Sequence, residues 1–337
     1  MKTFNYVARL TVFLAFCVIV LGAYVRLSDA GLGCPDWPTC YGELIVPETT
    51  EQIDDSFRHQ ESQELERKLE PEKAWKEMMH RYLAGTLGIL ILILAGMALK
   101  NRRDPDQPVL VPLFLVGLVI FQGLLGMWTV TLLLKPVVVT AHLLGGMITL
   151  AFLTWLVMAS QPKQDSSFFT KASSGLKAFS VIAFLILFIQ IFLGGWTSSN
   201  YAALICPDFP TCQNHWWPAM NLKEGFVMWR GLGVDYEFGV LKADARTAIH
   251  MMHRVGAIVT FISLLSLVLI SLQNVNSSIR KVAMLVGFFL ILQVMLGIAN
   301  VKLGLPLHIA VSHNGVAALL LVSMTIFIYK IFSTARN

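Results

Sequence analysis

Eight apolar runs of about 20 residues constrain this chain more than any other feature. They lie at roughly 8–27, 77–99, 109–131, 136–160, 176–198, 247–272, 281–302 and 307–331. About 20 helical residues match the hydrocarbon thickness of a bilayer. Inside that layer every backbone polar group must be paired within the protein, so only helices or closed barrels can span it. No run shows the short alternation of a barrel strand. A chain that is 55% hydrophobic and 14% charged suits repeated spans better than a soluble core. The first run follows Lys2 and Arg9 as a signal peptide would. It lacks a small-residue cleavage site before Arg26 and has a later counterpart, so it reads as a helix. The expected fold is all-α, with eight transmembrane helices.

Basic residues set the expected orientation. Lys100, Arg102 and Arg103 follow the second run, Lys163, Lys171 and Lys177 the fourth, and Arg280 and Lys281 the sixth. Lys2, Arg9, Lys330 and Arg336 mark the termini. With eight spans all of these share one side, which predicts cytoplasmic termini. The opposite loop, 28–76, carries 12 acidic and 5 basic residues. The net charge of +5 therefore reports topology and gives no reason to invoke nucleic acid. Helical spacing over Glu61–Lys76 predicts a short surface helix or a mobile segment, and a polar linker over 161–175 joins the halves. The aromatics Trp216, Trp217, Trp229, Tyr236 and Phe238 are expected along the outer interface.

The chain repeats itself. Gly22-Ala23-Tyr24-Val25-Arg26 leads to Cys34-Pro35-Asp36-Trp37-Pro38-Thr39-Cys40. Gly194-Gly195-Trp196-Thr197-Ser198 leads, at equal spacing, to Cys206-Pro207-Asp208-Phe209-Pro210-Thr211-Cys212. His80-Arg81 returns as His253-Arg254, and Gln122 with His142 returns as Gln293 with His313. An offset near 172 residues predicts a duplicated four-helix unit. An even helix count per unit makes the copies parallel, related by an axis along the membrane normal. The expected domains are 1–163, with outer loop 28–76, and 164–337, with outer loop 199–246.

Within each unit two histidines open helices that run from outside to inside, so they sit at similar depth. His80 faces His142, and His253 faces His313. Two neutral imidazoles across a four-helix bundle make an axial pair for heme iron. Small residues on the same helical faces (Ala84, Gly145, Gly146, Gly256, Ala257, Ala317) offer clearance for a flat macrocycle. Helix-to-helix hydrogen bonding competes with this reading, as does a zinc or copper ion, but four histidines at repeat-equivalent places favour a bound group. Arg26, Arg81 and Arg254 are candidate partners for heme propionates, against ordinary snorkelling to headgroups. His250 and His308 occur in the second unit alone and read as polar interface residues before spare ligands. Cys34–Cys40 and Cys206–Cys212 lie on the outer side and are expected to form disulfides. A redox role for the first pair stays open, while the spacing disfavours a four-cysteine zinc site. Cys17 reads as packing.

The set Val25-Arg26-Leu27-Ser28, Gly31-Leu32-Gly33-Cys34-Pro35-Asp36-Trp37-Pro38, Glu77 with His80-Arg81, His142, His253-Arg254 and His313 resembles the heme A synthase family over nearly the whole chain. The resemblance implies a bacterial inner-membrane enzyme that oxidises one methyl group of heme O to the formyl group of heme A by successive hydroxylations. It implies heme b as cofactor on His253 and His313, substrate heme on His80 and His142, and a functional glutamate at Glu77. It also implies an external electron donor, periplasmic cysteine loops, and links to heme O synthase and cytochrome oxidase assembly, with self-association left open. Glu77 and His80 share a helix face, which suits proton movement beside a porphyrin edge; capping the helix start competes with that role. The equivalent place in the second unit is His250, which suggests an electron-transfer or structural heme there. With histidine on both sides of the substrate iron, either one ligand leaves or oxygen reacts without binding iron directly. Two other functions fit the residues: a quinol-linked, bis-histidine two-heme cytochrome, and a heme carrier without turnover.

Overall fold

The computed structural model describes residues 2–53, 69–161, 173–273 and 276–333. Eight long helices cover them: α1 (Lys2–Leu27), α2 (Pro71–Lys100), α3 (Leu110–Thr131), α4 (Pro136–Ala159), α5 (Ser174–Ser199), α6 (Ala243–Leu272), α7 (Ser277–Lys302) and α8 (Leu307–Ser333). Each is long and apolar enough to cross a membrane. Among the described residues there is no strand, only isolated bridges at Cys40–Glu43 and Cys212–His215. The protein is an all-α, multi-pass membrane protein. The expected helix over 61–76 falls partly outside the described residues; its C-terminal end, from Pro71, is the first turn of α2. The polar linker around the expected 163/164 boundary also lies outside them.

The helix ends follow local chemistry. Pro71 and Pro136 stand in the first turn of α2 and α4, where a missing N–H costs nothing. The Ser173 side chain caps α5 by accepting from Leu176 N–H, and Asn276 caps α7 by accepting from Ser278 and Ile279. The helix faces are inverted relative to a soluble protein. Ile89, Phe114, Ile120, Leu185, Ile258 and Phe288 are exposed, forming an outward apolar belt suited to lipid.

Packing closes two rings. α1 contacts α2 and α4, and α3 contacts the same two. α5 contacts α6 and α8, and α7 contacts the same two. The rings meet where α1 and α4 touch α8 and where α4 touches α5. One apolar cluster, including Leu94, Leu153, Leu187, Leu267 and Leu321, runs through both. Half of the most apolar window of α8 and 44% of that of α4 are buried, against 17% for α3. Thus α4 and α8 are the central helices, and α3 is peripheral.

Outside the helices the two cysteine loops have one design. Disulfides join Cys34 to Cys40 and Cys206 to Cys212, with Cα atoms 4.8 and 4.6 Å apart. Asp36 accepts from Tyr41 N–H (2.6 Å), from Gly42 N–H (3.1 Å) and from the Thr39 hydroxyl. Asp208 accepts from Gln213 N–H (2.6 Å), Asn214 N–H (3.0 Å) and the Thr211 hydroxyl (2.5 Å). The Thr211 hydroxyl, more than the amides, holds the Asp208 carboxyl below its ordinary value. Positive φ angles recur at Asp29 and Tyr201, Tyr41 and Gln213, and Gly42 and Asn214. Beyond the second loop, residues 226–241 strap across the turn between α3 and α4. Tyr236 N–H donates to Leu133 O (3.1 Å), while Lys135 donates to Gly231 O and lies 3.4 Å from the Trp229 ring centroid. Tyr236 is therefore buried against this turn, unlike the exposed Trp216, Trp217 and Phe238.

Candidate functional site

The four histidines lie on α2, α4, α6 and α8: the two central helices and, in each ring, the helix diagonally across from the central one. His80 and His142 face each other with ring centroids 6.3 Å apart and planes at 82°. Two imidazoles bound to opposite faces of one metal, with bonds of about 2 Å, need centroids about 6 Å apart. The pair thus fits an axial role. All four histidines are half-buried within the bundle. Nδ1 of His80, His142 and His313 has no side-chain hydrogen-bond partner. Among the described residues no three His, Cys, Asp or Glu side chains come together as a metal site. Two opposed imidazoles suit a metal that brings its own equatorial ligands better than a bare zinc ion.

Each histidine ring stands on a glycine of a neighbouring helix. A Cβ on Gly22 of α1 would lie 2.9 Å from His80 Cε1, and one on Gly194 of α5 would lie 3.2 Å from His253 Cε1. The matching distances are 3.5 Å from Gly126 of α3 to His142 and 3.2 Å from Gly297 of α7 to His313. These glycines are part of the repeat, and that recurrence was the available signal for them. The clearance expected beside the histidines on their own helices is used differently. A Cβ on Gly145 would meet Gln122 Nε2 at 1.8 Å, and one on Gly256 would meet Gln190 Oε1 at 2.3 Å. Three glutamines thereby join the sites. Gln293 Nε2 lies 3.3 Å from His313 Nε2, and Gln190 Nε2 lies 3.0 Å from His253 Nδ1. A discriminating test follows. Gly22→Ala forces the His80 ring to move and would weaken retention of any metal group held by that pair, whereas Gly126→Ala, an ordinary contact, would leave it intact. Metal-to-protein ratios of the purified variants check this.

Glu77 is buried, 5% exposed, one helical turn before His80. It accepts from Cys34 N–H at 3.0 Å and pairs with the Arg81 guanidinium. Arg81 also donates to the carbonyls of Asp36 (2.9 Å), Pro38 (3.3 Å) and Thr39 (2.6 Å). Carboxylate, arginine and disulfide loop are therefore one unit. In the other ring, Arg254 donates to Asp208 O and Thr211 O, both at 2.8 Å. No carboxylate faces it from the helix: His250, in Glu77's place, is buried with Nδ1 2.9 Å from Ala202 O. Arg26 donates to Ser198 O (2.7 Å), pairs with Asp29 (3.6 Å) and lies 4.2 Å from the Tyr201 ring. All three arginines have protein partners, whatever else they touch. His308 is exposed at the start of α8.

Fold and site define a class: a multi-pass membrane protein with intramembrane histidines on four of its helices and a buried carboxylate beside one of them. Residues 5–325 match a family described as cytochrome oxidase assembly protein. Heme A synthase of Shewanella oneidensis is 45% identical over 336 residues, covering 98% of this chain and 99% of that protein. Heme A synthases of Halalkalibacterium halodurans (24% over 326 residues, 95% and 93% covered) and Rhizobium rhizogenes (27% over 319 residues, 89% and 82%) are similar along most of their length. The chain belongs to the heme A synthase family.

Proposed function

We propose that the protein converts heme O to heme A in the bacterial inner membrane, oxidising one methyl group to a formyl group. Kinship over nearly the whole chain supports this reading. The observation that carries the assignment of roles is Glu77, buried beside one histidine pair and replaced by His250 beside the other. Substrate heme O is held by His80 and His142 within 1–163. A resident heme b is held by His253 and His313 within 164–337; when bound it relays electrons from an external donor. Glu77 takes up and returns protons at the edge of the first site, Arg81 fixes its carboxylate, and the cysteine loop closes the site's outer end. Termini face the cytoplasm and the cysteine loops the periplasm.

The halves are read as parallel copies. Arg26 bonds Ser198, and Tyr201 bonds Asp29, each pair 172 positions apart. Residues that touch their own repeat mates lie beside the axis relating the copies. The electron-transfer cytochrome and the heme carrier offer no use for a buried carboxylate at one site alone. Heme O synthase and cytochrome oxidase assembly factors are the proposed neighbours in supply and delivery. The test is extraction and mass analysis of pigment from purified variants: His80→Ala loses substrate-derived heme, and His253→Ala loses heme b. Equal loss of both pigments from each variant would contradict separate sites.

A further inference from the structure

Only one of the four histidines has a side-chain partner on Nδ1. Gln190 of α5 places Nε2 3.0 Å from His253 Nδ1 and 3.1 Å from the His253 carbonyl. The other three Nδ1 atoms have no side-chain partner; the backbone of Val18, Gln122 and Gln293 approaches those rings instead. Gln122 and Gln293 hold equivalent places, one in each ring, so they do not distinguish the sites. Gln190 can: its place in the first ring is taken by Val18. The surrounding volume changes in compensation. Gly256, against which Gln190 rests, is matched by Leu83 beside His80, and Val18 and Leu83 belong to the apolar core. An apolar pair in one ring thus becomes a polar residue seated on a glycine in the other. Gln190 Oε1 is itself buried without a partner.

We propose that Gln190 is a positioning residue for His253 and sets the electron affinity of the heme at that site apart from the first. This rests on the reading of His253 and His313 as ligands of a resident heme. An imidazole that gives Nε2 to iron keeps its proton on Nδ1 and needs an acceptor there. As placed, Gln190 Nε2 faces Nδ1 and donates to the His253 carbonyl; with iron on Nε2, a half-turn of the amide exchanges that carbonyl bond for one that its oxygen accepts from Nδ1–H. A hydrogen bond accepted from Nδ1–H fixes the ring and makes it a more basic ligand, which favours ferric iron. His80, flanked by Val18, has no side chain in that place and meets only the Val18 backbone. The two sites thereby differ in redox character on a duplicated scaffold.

The experiment is a potentiometric titration of the purified full-length protein, followed by heme absorbance and by the ferric electron paramagnetic resonance signal. Gln190→Val removes the acceptor, so the midpoint of the second-site heme rises. Gln190→Glu keeps the shape and strengthens the acceptor, so the midpoint falls below wild type. Gly256→Ala, which pushes the amide away, shifts it in the same direction as Gln190→Val. If Gln190→Val loses heme, the isosteric Gln190→Glu decides: a lowered midpoint supports the proposal. Unchanged midpoints and resonance positions in heme-loaded variants would overturn it. His253→Ala is the separate control: full retention of heme b there would overturn the ligand assignment itself, whatever Gln190 does.

Discussion

Glu77→Gln retains both hemes and lowers formyl-heme production at least about 100-fold, the lower end of what a positioned acid–base group contributes. The glutamine has the same shape, and its oxygen still accepts from Cys34 N–H, as the carboxylate does at 3.0 Å. Arg81 keeps its bonds to Asp36, Pro38 and Thr39. The loop therefore stays docked, and the proton-carrying function is what is lost. Losing one member of a partly buried ion pair costs some stability as well. Heme content and the visible spectrum of the purified variant separate the two effects. A variant with wild-type pigment and wild-type formyl-heme output would show that Glu77 serves only to hold the loop.

The second large effect is structural. Gly33→Ala dislodges the first cysteine loop from α2. A Cβ there would lie 2.6 Å from the Lys73 carbonyl carbon and 2.7 Å from the Ala74 nitrogen. These are helix backbone atoms and cannot swing aside. Overpacking of this kind costs about 1–3 kcal/mol, and the displaced residue neighbours Cys34, whose N–H reaches Glu77. Both the melting temperature and formyl-heme output fall. Gly31→Ala is the control, since its nearest obstacle is the Leu134 Cδ2 at 3.1 Å, the end of a flexible side chain. It keeps both properties near wild type. Equal behaviour of the two variants in thermal unfolding would remove the tight-docking explanation.

Much of this organisation is legible in the primary structure. The eight spans are, because hydrocarbon demands about 20 apolar residues in each, a local requirement. The four histidines are, because polar side chains are conspicuous in such runs and because duplication repeats them. The disulfides follow from short, repeated cysteine spacing, and the structure forms both. What composition and spacing leave unread is contact between distant segments. Gly22 and Gly126 appear as landmarks in the chain, yet only helix packing reveals that they support His80 and His142. Gln190 carries no repeated partner and so no signal. Arg81 reads as a propionate or headgroup partner because the loop carbonyls it grips, at Asp36 and Thr39, are more than 40 residues earlier in the chain.

The most direct test is pigment mass analysis of the wild-type protein purified from cells supplied with heme O by a co-expressed heme O synthase, and lacking any other source of heme A. The account predicts heme A in the extract, alongside heme b. A folded, reducible protein carrying only heme b and unaltered heme O would contradict it.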